Sequence, residues 1–241
     1  MDGAPPILQV LFGLVFVVGA IAAGIYAHQQ EKKRTAALLE FARIRGFTLS
    51  PSSGPEPFHA HFEIFRRGFD RRALNTITGS IDVNGRPFGI TTGDFRYRER
   101  RGSGKNRRTV TIKFSYLVAQ LPFMHIPDTR VRREHWGDKL ASVFGADDID
   151  FESERFSRDF HVKCDSKRFA FDLIDPRMME FLMASDPPNF EIERGRLLIH
   201  TGAGRWKPGQ FARQLSWLDD FGEHWPDHLV RKLEEGVEIY A

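Results

Sequence analysis

The sequence has little cysteine, no second long apolar run and no recognisable catalytic signature. Its single cysteine, Cys164, excludes an intramolecular disulfide and suits a reducing compartment. The surrounding residues indicate a half-buried strand, which favours a structural thiol over a reactive one. There is no G-x-S-x-G segment and no P-loop, and the run Gly202-Ala203-Gly204 lacks the rest of a dinucleotide fingerprint. The sequence therefore predicts no enzyme and no cofactor.

Histidine is plentiful, but its spacing does not complete a metal site. His59 and His61 would share one side of a strand, and Glu63 could join them, but prolines precede the pair. His224 and His228 have helical ligand spacing, but Pro226 lies between them. We predict no bound metal. A metal-dependent hydrolase that uses one of these histidine pairs is an alternative function.

One apolar segment is long enough to cross a membrane. Residues 6–27 contain Gln9 as their only strongly polar side chain, and 22 helical residues span about 33 Å against a hydrocarbon core of about 30 Å. Residues 1–5 have no basic residue, unlike the start of a cleaved signal peptide, which is the competing interpretation. We predict a single-pass transmembrane helix. Its small residues could also seat a second copy as a homodimer: Gly19, Ala20, Ala23 and Gly24.

The charges that flank this helix predict its orientation. Lys32, Lys33 and Arg34 follow the apolar run, and the N-terminal side carries only Asp2. Because positive flanks stay inside, residues 1–5 are expected outside and the rest of the chain in the cytoplasm. Helical spacing continues over residues 28–46, which we interpret as a stalk. Residues 47–57, rich in proline and serine, are predicted to be a linker before a cytoplasmic domain at 58–241.

The predicted domain is α+β, with a mostly antiparallel sheet and a few packed helices. Three strands are expected between residues 77 and 121, the first two joined by an Asn84-Gly85 turn. Later segments predict a helix at 134–144, a strand at 156–164, a helix that Asp175 caps, and a hairpin at Arg194-Gly195. Two helices are expected to close the chain, at residues 208–220 and 228–234.

Charge is distributed unevenly along the chain. Residues 61–140 hold 17 basic and 8 acidic side chains, and residues 141–241 hold 13 and 20. The densest basic stretch is the loop after the second strand, whose cations are Arg98, Arg100, Arg101, Lys105, Arg107 and Arg108. Such a tip can be a solubilising turn that discourages edge pairing, or it can bind anionic lipid. No nucleic-acid module is present, so we expect no nucleic-acid partner.

Several segments resemble an uncharacterised family of bacterial membrane proteins. The resemblance rests on an F-E-S-x-x-F-x-x-x-F-x-V pattern at Phe151–Val162, on Asp165, on D-P-x-M at Asp175–Met178, on the strand pair from Gly79 to Tyr97, and on Leu121-Pro122. It implies a location in the bacterial inner membrane, an N-terminal membrane helix and a cytoplasmic α+β domain. It implies no activity, and this chain departs from multi-span members in having one apolar stretch.

These observations together favour a membrane-anchored binding or scaffold domain at the cytoplasmic face, with an unidentified protein partner. Anionic-lipid binding through the basic tip is the first alternative, and the metal-dependent hydrolase is the second.

Overall fold

A 39-residue helix, α1 (Pro6–Ile44), opens the fold. It belongs to a computed structural model that describes residues 6–53, 61–123, 125–133, 149–185 and 187–236. The large apolar side chains of its first half are exposed, among them Leu14, Phe16 and Ile21. Among the described helices, α1 alone is long and apolar enough to cross a membrane.

Eight antiparallel strands form one sheet in the order β1-β2-β3-β4-β8-β7-β5-β6. They are β1 (Thr48–Ser53), β2 (Phe69–Val83), β3 (Arg86–Arg101), β4 (Arg108–Gln120), β5 (Thr129–Arg133), β6 (Phe160–Cys164), β7 (Phe190–Glu193) and β8 (Arg196–His200). The helices after α1 are α2 (Glu63–Arg66), α3 (Glu154–Asp159), α4 (Lys167–Leu173), α5 (Pro176–Ala184), α6 (Pro208–Glu223) and α7 (Asp227–Glu234). The predicted α+β class is confirmed.

The sheet buries a different core on each face. On one side, which we call the helix face, Ile77, Ile90 and Leu117 pack in a large cluster with the buried residues of α3 to α7 and with Leu38 and Ala42 of α1. The other side, the α2 face, carries a smaller aromatic cluster. Its members are Phe62, Ile64, Phe65, Ala73, Phe95, Tyr97, Phe114, Tyr116, Val118 and Leu198.

Short turns fix the register of both predicted hairpins. Asn84 and Gly85 have φ of 53° and 76°, as a type I′ turn requires, and Val83 pairs with Arg86. Arg194 and Gly195 likewise have φ of 50° and 71° between β7 and β8. The predicted cap of α5 is also confirmed, since the Asp175 carboxylate accepts a hydrogen bond from the Met178 amide.

Two expected segments differ in the structure. Much of the predicted linker is strand β1, which pairs with β2 at the edge of the sheet, where Pro51 is tolerated because it need not donate a hydrogen bond. The strand expected at 156–164 begins only at Phe160. The residues before it form α3, because the Ser153 hydroxyl caps the Phe156 amide. The helix expected at 134–144 lies outside the described residues.

Candidate membrane-proximal site

The C-terminal half of α1 packs on the helix face of the sheet. Residues at helical spacing make the contact: Arg34, Leu38 and Ala42 follow one another at intervals of four and lie on one side of the helix. Leu38 and Ala42 are fully buried in the core, and the ring of Phe41 lies 6.2 Å from that of Phe211 on α6. Residues 28–46, predicted to be a stalk, are therefore largely part of the domain.

A buried ion pair lies at the centre of this contact. The Arg34 guanidinium donates through Nε to Asp94 Oδ2 and through Nη2 to Asp94 Oδ1, each at 2.7 Å. The side chains are only 11% and 1% exposed, respectively. Arg34 Nη1 also donates to the Trp206 carbonyl at 2.6 Å. A bidentate pair in this environment is both strong and geometrically selective.

Neighbouring polar groups complete the hydrogen bonding of Asp94. The Ser115 hydroxyl donates to Asp94 Oδ1 at 2.7 Å and accepts from the Trp206 amide at 2.9 Å. Asn75 approaches Asp94 Oδ2 at 3.5 Å and accepts a hydrogen bond from the Thr35 hydroxyl of α1. Every polar group of the buried cluster thus has partners, as a stable buried charge requires.

A backbone irregularity in β2 brings Asn75 to this position. The register of β2 shifts between Leu74 and Ile77, and Asn75 adopts a φ of 50°. Gly93 on β3 makes room for the shift, because a Cβ there would lie 2.8 Å from the Asn75 carbonyl oxygen. A larger residue at position 93 would therefore disturb the contact between β2 and α1.

One helical turn closer to the apolar half, Glu31 forms a second contact. Its carboxylate accepts from Lys113 Nζ at 2.7 Å and from Arg205 at 2.8 and 3.0 Å. Hydrogen bonds from Arg205, and then from Lys113, lower the pKa of Glu31 to about 2, although partial burial opposes this. We call Glu31, Arg34, Thr35, Asn75, Asp94, Lys113, Ser115 and Arg205 the helix lock.

The helix lock fixes the direction of α1 relative to the sheet. Glu31 lies beside Lys113, Arg34 beside Ser115, and Phe47 over Gly79, which is in register with Ile90 and Ala119. From residue 31 to 44 the helix rises about 20 Å, and β4 covers about 20 Å from residue 113 to 119. The helix therefore runs in the same general direction as β4 while it crosses the sheet from β4 at Glu31 to β2 at Phe47, and the β3–β4 hairpin projects toward the apolar half of α1.

The hairpin tip reaches the level at which the apolar segment of α1 ends. Going back from Glu31 to Ala27 rises about 6 Å, but going back from Lys113 to Arg108 covers about 17 Å. The tip therefore reaches at least the level of Ala27, at the boundary between hydrocarbon and lipid headgroups if residues 6–27 span a bilayer. The sequence did not indicate this position, because it depends on the contact of α1 with the sheet.

The tip carries a dense positive charge, and we call residues 69–72 together with 96–108 the basic patch. It holds nine basic side chains against Asp70 and Glu99. Residues 100–108 are exposed, and Asp70 pairs with Arg72, Arg96 and Arg98. All six predicted binding residues belong to the patch: Arg98, Arg100, Arg101, Lys105, Arg107 and Arg108. Phe69 adds an aromatic ring that is 41% exposed, with the Arg100 guanidinium 5.5 Å above it.

Comparison with known proteins gives one structural likeness. No protein-family model matches the sequence, and no curated protein matches it. The chain is similar to the crystal structure of the mycobacterial trehalose monomycolate transport factor A, with a TM-score of 0.50 and 13% identity. The likeness covers 80% of this chain and 96% of that one. At 13% identity, this likeness shows a similar fold and nothing about function.

The three residues that were predicted to determine the orientation of the membrane helix have different environments in the structure. Lys32 and Lys33 are exposed on α1, whereas the charge of Arg34 is engaged by Asp94 within the helix lock. Asp94, Ser115 and Arg205 were not predicted as functional residues. The only signal was that Asp94 and Ser115 are polar residues on a face of β3 and β4 that also carries core residues. The sequence alone does not show that these polar residues contact α1.

The structure does not bring His224 and His228 together as metal ligands. His59 lies outside the described residues. His224 Nδ1 lies 2.7 Å from the Asp220 carbonyl oxygen and its ring stacks on Phe181, whereas His228 approaches Asp172 at 3.6 Å. No group of three or more histidine, cysteine, aspartate or glutamate side chains suited to a metal occurs within the described ranges.

Cys164 lies at the edge of a polar cleft of about 480 Å³, lined also by Asp128, Arg130, Lys163 and Glu191. Its thiol lies 3.1 Å from the Thr129 hydroxyl. Burial raises the pKa of the Cys164 thiol, which keeps it protonated at neutral pH.

Proposed function

We propose that this chain is a single-pass membrane protein whose α+β domain is held at the cytoplasmic face of a bacterial inner membrane as a non-catalytic binding or scaffold unit. The exposed apolar half of α1 and the cations that follow it support the anchor and its orientation. The resemblance to bacterial membrane proteins supports the location in the inner membrane. A protein of the same fold is named a transport factor, and this name supports a role without catalysis.

The helix lock is the observation that carries the proposal. A domain on a flexible stalk would sample many orientations above the bilayer, whereas α1 enters the core of this domain directly. The domain therefore stands at a fixed distance from the membrane and presents one end to it. A scaffold that positions a partner at the membrane needs such a defined geometry.

Anionic lipid is the ligand that this geometry favours for the basic patch. The patch lies at headgroup depth, and each basic residue near an anionic surface contributes about 1 kcal/mol of attraction. Phe69 beside Arg100 offers an aromatic ring that suits the interface between headgroups and acyl chains. A tip that only discouraged edge pairing would have no need to lie on the membrane side.

Lipid retention by the full-length chain in neutral detergent tests this function. Native mass spectrometry would count the phosphatidylglycerol and phosphatidylcholine molecules that remain bound. We expect a preference for phosphatidylglycerol that falls several-fold in the variant Arg100→Gln, Arg101→Gln, Arg107→Gln, Arg108→Gln, because the headgroup phosphate loses its cationic partners.

The matched control removes four exposed arginines from other elements. Arg168, Arg177, Arg213 and Arg231 lie on α4, α5, α6 and α7, and their replacement by glutamine changes the net charge equally. This control should keep the preference for phosphatidylglycerol. Equal loss in both variants would show a nonspecific charge effect and contradict a lipid site at the hairpin.

A further inference from the structure

The tip of the β3–β4 hairpin carries an accessible serine hydroxyl. Ser103 is exposed, as are the glycines on either side of it. Its backbone is extended, with φ of −127° and ψ of 155°, and its side chain does not cap the 3₁₀ turn Gly104–Asn106 that follows. The last paired residues of the two strands are Arg101 and Arg108, so Ser103 lies outside the ladder. A hydroxyl on such a loop tip is open to an enzyme.

Two arginines precede this serine at the third and second positions before it, Arg100 and Arg101. The Arg100 guanidinium lies over the exposed ring of Phe69, and Arg101, whose side chain is 58% exposed, pairs with Glu99 at 3.0 Å. A surface ion pair of this kind is weak, so acidic side chains of a partner can replace Glu99. Charge patterns beside the acceptor hydroxyl are one means by which protein kinases select their substrates.

Other hydroxyls that follow basic residues are held in regular structure, namely those of Thr35, Thr109 and Ser216. Thr35 lies within α1 and donates to Asn75, Thr109 pairs with Arg100 in the ladder between β3 and β4, and Ser216 lies within α6. Phosphoryl transfer needs the hydroxyl in line with the γ-phosphate of ATP inside a kinase cleft. A helix or a paired strand does not fit there without unfolding, whereas the tip around Ser103 does.

We propose that Ser103 is a phosphorylation site for a serine/threonine kinase that recognises Arg100 and Arg101. In the transfer, Ser103 Oγ forms a bond to the γ-phosphorus of ATP, and the bond from that phosphorus to the β–γ bridging oxygen breaks to release ADP. The hydroxyl proton passes to the catalytic base of the kinase. The effect of the phosphate rests on the proposed lipid binding, because the phosphate regulates the same basic patch.

Phosphorylation weakens the attraction of the basic patch to an anionic surface. The patch holds nine basic and two acidic side chains, and the phosphate adds about 1.5 to 2 negative charges at pH 7. Each unit of charge near an anionic membrane changes the affinity about five-fold, so the phosphate lowers it about 10- to 30-fold. The phosphate oxygens also accept hydrogen bonds from neighbouring arginines, which are then less available to lipid headgroups.

Phosphopeptide mapping on the full-length chain in neutral detergent tests the site. The chain would be treated with ATP and cyclic-AMP-dependent protein kinase, which selects arginine at the second and third positions before a serine. A second sample would receive a lysate of the cells that produce the chain as the kinase source. We expect phosphate at Ser103 in both samples and none at Thr35, Thr109 or Ser216.

Lipid retention before and after phosphorylation tests the effect. Native mass spectrometry would compare bound phosphatidylglycerol with bound phosphatidylcholine, and we expect the preference for phosphatidylglycerol to fall about ten-fold or more. Ser103→Asp adds a single negative charge and should lower the preference about five-fold. The control Ser103→Ala, treated with kinase, should show the same preference with and without ATP.

Three results would overturn the inference. They are phosphate at Thr109 or at the helical positions in place of Ser103, a lysate that leaves Ser103 unmodified, and complete phosphorylation of Ser103 that leaves an existing preference for phosphatidylglycerol unchanged. An unphosphorylated chain with no such preference contradicts the lipid function instead. The mapping contains no anionic lipid, so it decides the site independently of that function.

Discussion

At the scale of single residues, His200 combines burial with a position among arginines. The folded chain holds its pKa near 4, whereas an exposed histidine has a pKa near 6.5. The unfolded chain therefore binds a proton between pH 6.5 and 4 and the folded chain does not, so the free energy of unfolding falls as the pH drops through this window.

Replacement of His200 should flatten this part of the pH dependence. The contribution is at most about 3.5 kcal/mol, because each pH unit between the two values corresponds to about 1.4 kcal/mol. We expect the native chain to lose more stability than His200→Gln between pH 7 and 4, as measured by tryptophan fluorescence during thermal unfolding in phosphate-free detergent. Parallel pH profiles for the two chains would contradict the assignment.

Single residues also show what the sequence predicts well. Asn84-Gly85 and Asp175-Pro176 have local backbone preferences that tertiary contacts do not change, so the hairpin and the start of α5 were predicted correctly. Asp94 shows the opposite case. Its partner Arg34 lies 60 residues away on another element, and no local pattern relates the two.

At the scale of elements, α1 has two environments within one continuous helix. Its first half exposes apolar side chains, and its second half packs on the sheet through Leu38, Ala42 and the helix lock. The sequence indicated helix throughout but not this division, because a docked helix and a solvated stalk have similar spacing. Strand β1 was missed for a related reason, since its backbone pairing with β2 does not depend on its polar side chains.

Loss of Arg34 should destabilise the domain strongly. The variant Arg34→Ala leaves the Asp94 carboxylate, 1% exposed, without its main counter-charge, which costs about 3 to 5 kcal/mol for a buried pair. Urea unfolding in neutral detergent measures this change. Because Ser115 and the more distant Arg205 still contact Asp94, we expect the lower part of this range.

Another arginine of the same helix provides the control. Arg43 pairs with Glu40 on the exposed side of α1, and Arg43→Ala should leave the stability unchanged. The double variant Arg34→Met, Asp94→Leu should recover much of the loss, since an apolar pair needs no counter-charge. If Arg34→Ala lowered the free energy of unfolding as little as Arg43→Ala does, the result would contradict the buried contact between α1 and the sheet.

At the scale of the whole molecule, the helix lock determines which charged region of the domain lies toward the apolar half of α1. The basic patch lies at the end of the sheet toward the apolar half of α1, whereas the acidic last hundred residues supply α3 to α7 on the helix face. Such a dipolar layout favours one orientation above an anionic surface. The sequence predicted both charged regions but not their placement, which depends on the sheet order and on the docking of α1.

The position of the hairpin tip relative to the bilayer tests the central claim most directly. A fluorophore would be attached at Ser103→Cys in the tip or at Ser80→Cys, in a Cys164→Ser background, on full-length protein in nanodiscs with spin-labelled headgroups. Ser80 is exposed and pairs with Gly89, about 40 Å along β3 from the tip. We predict strong quenching at position 103 and little at position 80; equal quenching at both positions, or stronger quenching at position 80, would contradict the account.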